Sequence, residues 1–286
     1  GLLKKKPLNN NRRPAGGGGR AALKGVQKER GIFMIKLSEW KKGGRPAVLW
    51  QGNDGLLVSD GDHTIATDLD LFNPERKVPP TVDLDELCGT LDWLLITHGH
   101  EDHFNAATVA HLVKHSRCRF AIPQSCIGKA FEIKGLSERA RFVAPGDSFG
   151  ADGVPVSCVR AVHGHIGGCV YSGASMLDCG YRFSIGGLRF YQPGDTLLLE
   201  EHMEMQGVDV LFLSPTEHNT WIENSVKLIR FLKPSHVILQ HHSTYSEEDP
   251  RNYFWAHGYT GELLAALEEE ERARCIIPDQ NSGIYF

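Results

Sequence analysis

Short apolar runs separated by turn residues form the first recognisable pattern along this chain. The runs Ala47–Trp50, Leu56–Val58 and Thr64–Thr67 have the length and the aliphatic or β-branched character of strands. Between them lie Asn53-Asp54-Gly55 and Asp60-Gly61-Asp62, two segments rich in turn-forming residues. The pattern therefore predicts a β-meander in which each polar segment serves as a tight turn.

From Trp93 onward, strand-like runs alternate with segments of helical periodicity. Trp93–Ile96 is apolar throughout, as is typical of a buried strand, and Phe104–His115 places its apolar residues on one helical face. Tyr181–Ile185 and Leu188–Tyr191 flank two glycines, which predicts a hairpin with a two-residue turn. The alternation of strands and helices predicts an α/β fold.

The length and composition fit one globular domain over residues 32–286. The chain has 286 residues, of which 41% are apolar and 23% charged. Its apolar runs are all shorter than the roughly 18 residues that cross a bilayer, so we expect no membrane insertion. The seven cysteines lack C-x-x-C spacing and the N-terminus lacks a secretion-signal pattern, so we expect reduced thiols in a cytoplasmic protein.

The charge distribution separates an N-terminal segment from the rest of the chain. Residues 1–31 carry nine Lys or Arg against the single acid Glu29, which leaves 22 basic and 34 acidic residues for the remainder. Because this segment has few large apolar residues, we predict a flexible basic arm or a remnant of cloning. The acidic body is not expected to bind nucleic acid.

The densest candidate chemistry follows the strand that ends at Ile96. His98, His100, Asp102 and His103 fall within a six-residue stretch. Neutral imidazole and carboxylate are common ligands of divalent zinc, iron and manganese. A strand that ends in a tight loop can aim these side chains at one point, so the stretch predicts a metal site.

Three later strand ends supply candidates for further ligands: His163 or His165, Asp195, and His241 or His242. This inventory is large enough for a two-metal centre, whose ions lie about 3.5–4 Å apart. In that arrangement one ion is held by His98, His100 and His163. The second is held by Asp102, His103 and His241, with Asp195 bridging both. From the residues alone, Asp195 could instead cap a following helix.

These motifs together resemble the metallo-β-lactamase fold superfamily. The shared features are H-x-H-x-D-H after an apolar strand, a strand-end His, Gly-Asp-Thr at 194–196 and a late strand-end His, in the same order over residues 46–286. The resemblance implies a four-layer αββα sandwich, and it favours His163 and His241 over their neighbours as ligands. The chain is most similar to the branch that contains ascorbate-6-phosphate lactonase, because it opens with Trp-x-Gly-x-x-Gly at 50–55.

The resemblance implies a hydrolase that uses a hydroxide bridging two divalent ions. Zinc or manganese is expected, and iron also suits the donor set. Asp102 or Asp195 would orient the hydroxide, and His242 is a candidate donor of the leaving-group proton. Further expected roles fall outside the ligands: Asp68 orienting a ligand imidazole, and Glu217, His218 and Tyr245 contacting substrate. The alternative for each of these is ordinary turn, packing or surface polarity.

Two substrate classes follow from this chemistry. The preferred one is a lactone of a small sugar acid, with or without a phosphate. The alternative is a phosphodiester, which would make the protein a phosphodiesterase acting on a nucleotide or a phospholipid head group. A non-catalytic scaffold on this fold would be expected to lack a ligand, and all seven are present in the sequence. Self-association as a homo-oligomer is expected from the resemblance alone.

Overall fold

Two seven-stranded sheets form the framework of the protein. The structure, a computed structural model, describes residues 34–40, 45–245, 258–280 and 283–286. The arm predicted over residues 1–31 lies outside this range. From edge to edge, the first sheet consists of β16 (Gly283–Tyr285), β1 (Ala47–Trp50), β2 (Leu56–Ser59), β3 (Thr64–Thr67), β4 (Trp93–Leu95), β5 (Arg119–Pro123) and β6 (Ala140–Val143).

The second sheet has the same number of strands. From edge to edge it consists of β15 (Cys275–Ile276), β14 (His236–Leu239), β13 (Val210–Leu213), β12 (Leu188–Gln192), β11 (Asp178–Ile185), β8 (Val154–Ala161) and β7 (Ser148–Ala151). A small antiparallel pair, β9 (Gly164–His165) and β10 (Cys169–Val170), stands apart from both sheets.

Helices cover the outer faces of the two sheets. Those described are α1 (Leu37–Trp40), α2 (Leu84–Thr90), α3 (Ala106–His115), α4 (Ile127–Glu132), α5 (Glu200–Glu204), α6 (Trp221–Leu232), α7 (Thr260–Ala266) and α8 (Glu269–Arg272). Apolar residues of α2, α3 and α4 pack on the first sheet, and those of α6 and α7 pack on the second. No helix among the described residues combines the length and the apolar character needed to span a bilayer.

Three apolar layers hold the elements together, and the strand period explains them. Successive residues of a strand point to opposite faces of a sheet. Accordingly, Leu49 and Leu57 pack toward the helices of the first sheet, whereas Val48 and Val58 pack between the two sheets. The order is helix, sheet, sheet, helix, so the predicted four-layer αββα sandwich is confirmed.

The locally encoded elements lie close to their predicted positions. The β-meander is present, with Ala47 paired to Ser59 and Leu56 paired to Thr67. The glycine hairpin is also present, between β11 and β12. Helix α3 begins two residues later than predicted because Asn105 caps it: the Asn105 side chain accepts a hydrogen bond from the Thr108 N–H.

The topology brings several strand ends to one place. Strands β3 and β4 are parallel, as are β12, β13 and β14. The carboxyl ends of parallel strands meet at one edge of a sheet, which is where ligand-binding loops of α/β folds collect. Gly194 lets the end of β12 approach the end of β4 closely, since its φ is +67° and a Cβ there would lie 2.7 Å from Thr97 Cβ.

Candidate metal centre

One cluster of nitrogen ligands, which we call the histidine cluster, consists of His98, His100 and His163. One ring nitrogen from each lies within 4.8 Å of the others. His98 and His100 come from the loop after β4, and His163 follows β8. The ring centroids of His100 and His163 are 4.5 Å apart. The predicted choice of His163 fits this geometry, since His163 is buried whereas its neighbour His165 is exposed and faces Tyr171.

A second cluster, which we call the carboxylate cluster, consists of Asp54, Asp102, His103 and His241. His103 Nε2 lies 3.5 Å from both Asp54 Oδ2 and Asp102 Oδ2. His241 Nε2 lies 3.6 Å from Asp54 Oδ2 and 3.8 Å from Asp102 Oδ2. Together with Asp195 and the histidine cluster, these residues come from five loops of the two sheets.

Asp195 lies between the two clusters. Its Oδ2 is 3.4 Å from His163 Nε2 and 3.4 Å from His241 Nε2, while its Oδ1 is 3.7 Å from His103 Nε2. The Asn219 side-chain amide donates to Oδ1 at 3.1 Å. Asp195 does not cap α5, which starts at Glu200. Its position suits the predicted bridging role.

The outward-facing nitrogens of three histidines, His98, His103 and His163, are already engaged, which orients their inward-facing nitrogens. His103 Nδ1 is 2.9 Å from Asp68 Oδ2, and Asp68 also accepts from the Thr97 N–H at 2.8 Å. His163 Nδ1 donates to the Gly164 carbonyl at 2.7 Å, and His98 Nδ1 lies 3.1 Å from Thr97 Oγ1. Metal-bound histidines usually have such a partner on the second nitrogen. Asp68 thus has the position expected of an orienting carboxylate.

The pKa values differ between the clusters. Burial lowers the pKa of His98 well below its ordinary value and, with the help of His163, lowers that of His100 to about 4. Burial also acts to lower the pKa of His241, but Asp195 and Asp54 raise it to about 9. Burial raises the pKa of Asp54 to about 7. Burial therefore favours the neutral imidazole at His98 and His100, whereas the neighbouring carboxylates favour a positive charge at His241.

Buried atoms without hydrogen bonds indicate where cations fit. Among the residues that the structure describes, His98 Nε2, His103 Nε2 and Asp54 Oδ2 are buried without a hydrogen-bond partner. An unsatisfied buried polar group costs about 1–3 kcal/mol. Atoms that each lie about 2.1 Å from one ion are roughly 3–3.5 Å from one another, close to the separations seen here. The donor set therefore fits divalent transition-metal ions.

The clusters open onto a small cavity of about 210 Å³. Its lining residues are His100, Asp102, His163, Asp195, His218 and His241. His218 was predicted to contact substrate, and it does reach the cavity, with Nε2 3.2 Å from Asp195 Oδ2. Glu217 does not line the cavity: it is buried and faces Tyr259, whose pKa is raised to about 12 by burial and by the Glu217 carboxylate.

His242 and Tyr245 are not brought to the cavity, contrary to their predicted roles. The His242 ring packs on Trp50 with centroids 4.6 Å apart, and its Nε2 is 3.2 Å from the Leu239 carbonyl oxygen. The Tyr245 hydroxyl donates to Asp70 and is buried. His241 has a positive φ of 63°, so the backbone turns between the adjacent histidines and sends their side chains in different directions.

Two residues of the site were missed in the sequence, Asn53 and Asp54. The segment Asn53-Asp54-Gly55 gave a turn signal, and the turn exists, with the Gly55 N–H donating to the Gly52 carbonyl at 2.8 Å. The Asn53 side-chain amide donates to Asp102 Oδ2 at 3.0 Å. The Asn53 backbone carbonyl accepts from the His241 N–H at 3.0 Å. The signal that could have found Asp54 is an acidic residue inside the opening glycine motif.

Comparison with known proteins identifies the family. A family model described as a beta-lactamase superfamily domain matches residues 47–241, which is more than half of the chain. The protein therefore belongs to the metallo-β-lactamase fold superfamily, as its motifs predict.

Named relatives and a solved structure agree with this assignment. The chain is 24% identical over 212 residues to a UPF0173 metal-dependent hydrolase of Archaeoglobus fulgidus, covering 72% of this chain and 88% of the relative. It is 25% identical over 231 residues to a UPF0173 metal-dependent hydrolase of Thermoplasma acidophilum, covering 78% and 96%. The structure of a novel metallo hydrolase from the hyperthermophilic archaeon Ignicoccus hospitalis has a TM-score of 0.61, with 19% identity, and covers 84% of this chain and 98% of that chain. That similarity supports the fold.

Proposed function

We propose that this protein is a metal-dependent hydrolase that opens small lactones. The observation that carries the proposal is the meeting of the histidine cluster and the carboxylate cluster at one cavity of about 210 Å³. The relatives named above are described as metal-dependent hydrolases, which supports the general class. The choice of a lactone rests on the size and the charge of the cavity.

Two divalent ions would be held by residues that already face each other. The histidine cluster would hold one, and Asp102, His103 and His241 would hold the other, with Asp195 shared. When bound, such ions supply Lewis acidity toward a carbonyl oxygen and lower the pKa of water to near neutrality. Zinc and manganese both suit this donor set, and iron is compatible with it.

The protein's own residues would orient the reactants and move the proton. Asp102 is held by the Asn53 amide at 3.0 Å, so its carboxylate is fixed at the cavity wall. His218 lines the cavity, and its Nε2 is 3.4 Å from Thr216 Oγ1 as well as close to Asp195. We assign proton donation to the leaving alkoxide to His218 instead of His242, because a proton donor must reach the bond that breaks.

The charge of the cavity favours a neutral substrate. In the described part of the chain, the lining consists of four histidines and two aspartates and includes no Lys or Arg. The phosphate of a phosphorylated sugar lies outside the reacting group, and binding sites usually meet such a phosphate with Arg or Lys. The charge of a phosphodiester would have to be met by the metal ions alone. An uncharged lactone needs no such partner. The phosphodiesterase hypothesis is therefore the second choice, and the same assay tests it.

Substrate preference is tested with metal-loaded protein and two sets of compounds. We expect turnover of small uncharged sugar lactones, with lower kcat/KM for their phosphorylated forms and for bis-p-nitrophenyl phosphate. The Asp195→Ala variant serves as the blank for contaminating activity. Turnover of the diester without turnover of any lactone would replace the lactonase proposal by the phosphodiesterase one.

The assignment of the proton donor is tested by a matched pair of variants, His218→Gln and His242→Gln. We expect His218→Gln to lower kcat about 100-fold with two ions still bound, since general acid catalysis typically contributes that much or more. His242→Gln should retain kcat within a few-fold because the ring lies against Trp50. The reverse pattern would restore His242 to the role predicted from the sequence.

A further inference from the structure

Asp54 is a member of the carboxylate cluster although it lies in none of the metal-binding motifs predicted from the sequence. It lies in the turn between β1 and β2 and is fully buried. Its Oδ1 accepts a hydrogen bond from Ser214 Oγ at 3.1 Å. Its Oδ2 faces the Nε2 atoms of His103 and His241 and has no hydrogen-bond partner among the residues described.

The turn that carries Asp54 is fixed in place on both sides. Gly52 has a φ of +95°, and a Cβ there would lie 2.7 Å from Thr244 Oγ1, so only glycine fits without displacement. The Asn53 N–H donates to Thr244 Oγ1 at 2.6 Å, and the Thr67 hydroxyl donates to the Asp54 carbonyl at 3.3 Å. The carboxylate is therefore held at a defined position relative to His103 and His241.

We propose that Asp54 is a further metal ligand, which makes the carboxylate cluster the position that prefers an oxygen-seeking ion such as Mn²⁺. The proposal rests on the two-ion centre of the proposed function and goes beyond it by assigning different preferences to the two positions. With Asp54, one position offers carboxylates from Asp54, Asp102 and Asp195 beside two imidazoles. Carboxylate oxygens suit Mn²⁺, whereas the imidazoles of the histidine cluster suit Zn²⁺.

Charge balance favours the same assignment. Four aspartates, at positions 54, 68, 102 and 195, surround the two clusters, and three of them are buried. An uncompensated buried carboxylate is expensive, and such groups are normally paired or bound to metal. Two divalent ions offset the four negative charges. The alternative role for Asp54 is structural, with Oδ1 bonded to Ser214 and Oδ2 in a charge interaction with His103 and His241. The separations of 3.5 and 3.6 Å from Oδ2 to their Nε2 atoms are longer than those of ordinary hydrogen bonds, which favours an ion between these atoms.

The test compares Asp54→Asn with Asp70→Asn, a matched change at another buried aspartate. Asp70 lies in the loop after β3, and its carboxylate accepts from the Tyr245 hydroxyl and is not part of either cluster. Both variants and the wild type are stripped with chelator and titrated with Mn²⁺ and with Zn²⁺, with free Mn²⁺ followed by electron paramagnetic resonance and bound zinc by elemental analysis. Thermal unfolding monitors folding of each variant.

We expect the wild type and Asp70→Asn to bind two ions, and Asp54→Asn to bind the second Mn²⁺ at least about tenfold more weakly, since even outer partners of a ligand contribute that much. The loss should be smaller for Zn²⁺. Wild-type affinity for both Mn²⁺ ions in Asp54→Asn would overturn the proposal. A wild-type crystal grown with Mn²⁺ needs no variant: an Asp54 oxygen at about 2.2 Å from an ion supports it, and one beyond about 3 Å overturns it.

These measurements separate the two proposals because none of them uses turnover. If the wild type binds two ions through Asp54 yet opens no lactone, the substrate proposal fails and the assignment of Asp54 stands. If lactones are opened while Asp54→Asn retains both ions, the assignment of Asp54 fails and the proposed function stands.

Discussion

The histidine cluster and the carboxylate cluster differ in how the chain assembles them. Two members of the histidine cluster, His98 and His100, come from one short loop, and a single further strand end supplies His163. The carboxylate cluster collects its members from the β1–β2 turn, the loop after β4 and the loop after β14, with Asp195 from the end of β12. The first joins one loop of the first sheet to one strand end of the second sheet, whereas the second joins two loops of the first sheet to two strand ends of the second. The comparison indicates that one metal centre can contain two ion positions whose ligands differ in type and come from different parts of the chain.

Removing the residue shared by the clusters should have the largest effect. Asp195→Ala is expected to lower kcat/KM at least about 1,000-fold, equivalent to about 4 kcal/mol of transition-state stabilisation. The reason is that Asp195 contacts His163 in one cluster and both His103 and His241 in the other. Steady-state kinetics and metal content measured on the same preparation check this. A variant that retains wild-type kcat/KM would show that the two clusters act independently of Asp195.

Removing one ligand from each cluster should separate them. His163→Ala and His241→Ala are each expected to reduce the bound metal from two ions to one, and to lower activity about 100-fold, because each removes an imidazole from a different position. Elemental analysis after dialysis against a defined metal concentration gives the stoichiometry. If either variant loses both ions together, the clusters form one cooperative position, and the distinction drawn between them is wrong.

An orienting residue should affect one cluster more than the other. Asp68 contacts Nδ1 of His103 and the Thr97 backbone, so Asp68→Asn is expected to weaken only the ion of the carboxylate cluster, by about 10- to 100-fold. The ion of the histidine cluster serves as the internal control in the same titration. Equal weakening of both ions would indicate that Asp68 supports the whole loop after β4 instead of one imidazole.

The smallest effect concerns acid stability away from both clusters. Burial lowers the pKa of His202 to about 4 from an ordinary value of 6.5. Its neutral form therefore contributes stability that is fully present above pH 6.5 and is lost as the pH falls toward 4. His202→Gln should lack this dependence, which amounts to roughly 3 kcal/mol at pH 4 and vanishes near neutral pH.

Denaturant unfolding of both proteins at equal metal loading, across this pH range, isolates the His202 contribution from acid loss of the ions. Parallel stability profiles for His202→Gln and the wild type would show that the acid sensitivity comes entirely from the two metal-binding clusters.

Much of the site could be predicted because its motifs are local. The apolar strand before residue 97 and the sharp turn after it place His98, His100, Asp102 and His103 together whatever the rest of the chain does. The spacing also pointed to strand ends for the other ligands, because parallel strands bring their carboxyl ends to one edge of a sheet. The alternation of strands and helices predicted the α/β class, and the resemblance to the superfamily implied the αββα arrangement.

The substrate and proton-transfer roles predicted for His242, Glu217 and Tyr245 differ from the structure for equally specific reasons. His241 and His242 are neighbours at a strand end, and a shift of one residue reverses the direction of a side chain. The sequence alone therefore gave no basis for expecting the His242 ring to pack on Trp50. Glu217 and Tyr245 lie in loops next to the site, but nearness along the chain to a strand end does not determine which way a loop side chain faces.

The sequence by itself determined the α/β class, the meander, the glycine hairpin and the motif residues of the metal site, because each depends on residues close together in the chain. The tertiary structure alone decided that Asp54 faces His103 and His241. A polar turn looks the same in sequence whether it meets solvent or a buried cluster. Its surroundings are set by β1 and β2 pairing into one sheet while β14 pairs into the other, and by the packing of the two sheets face to face.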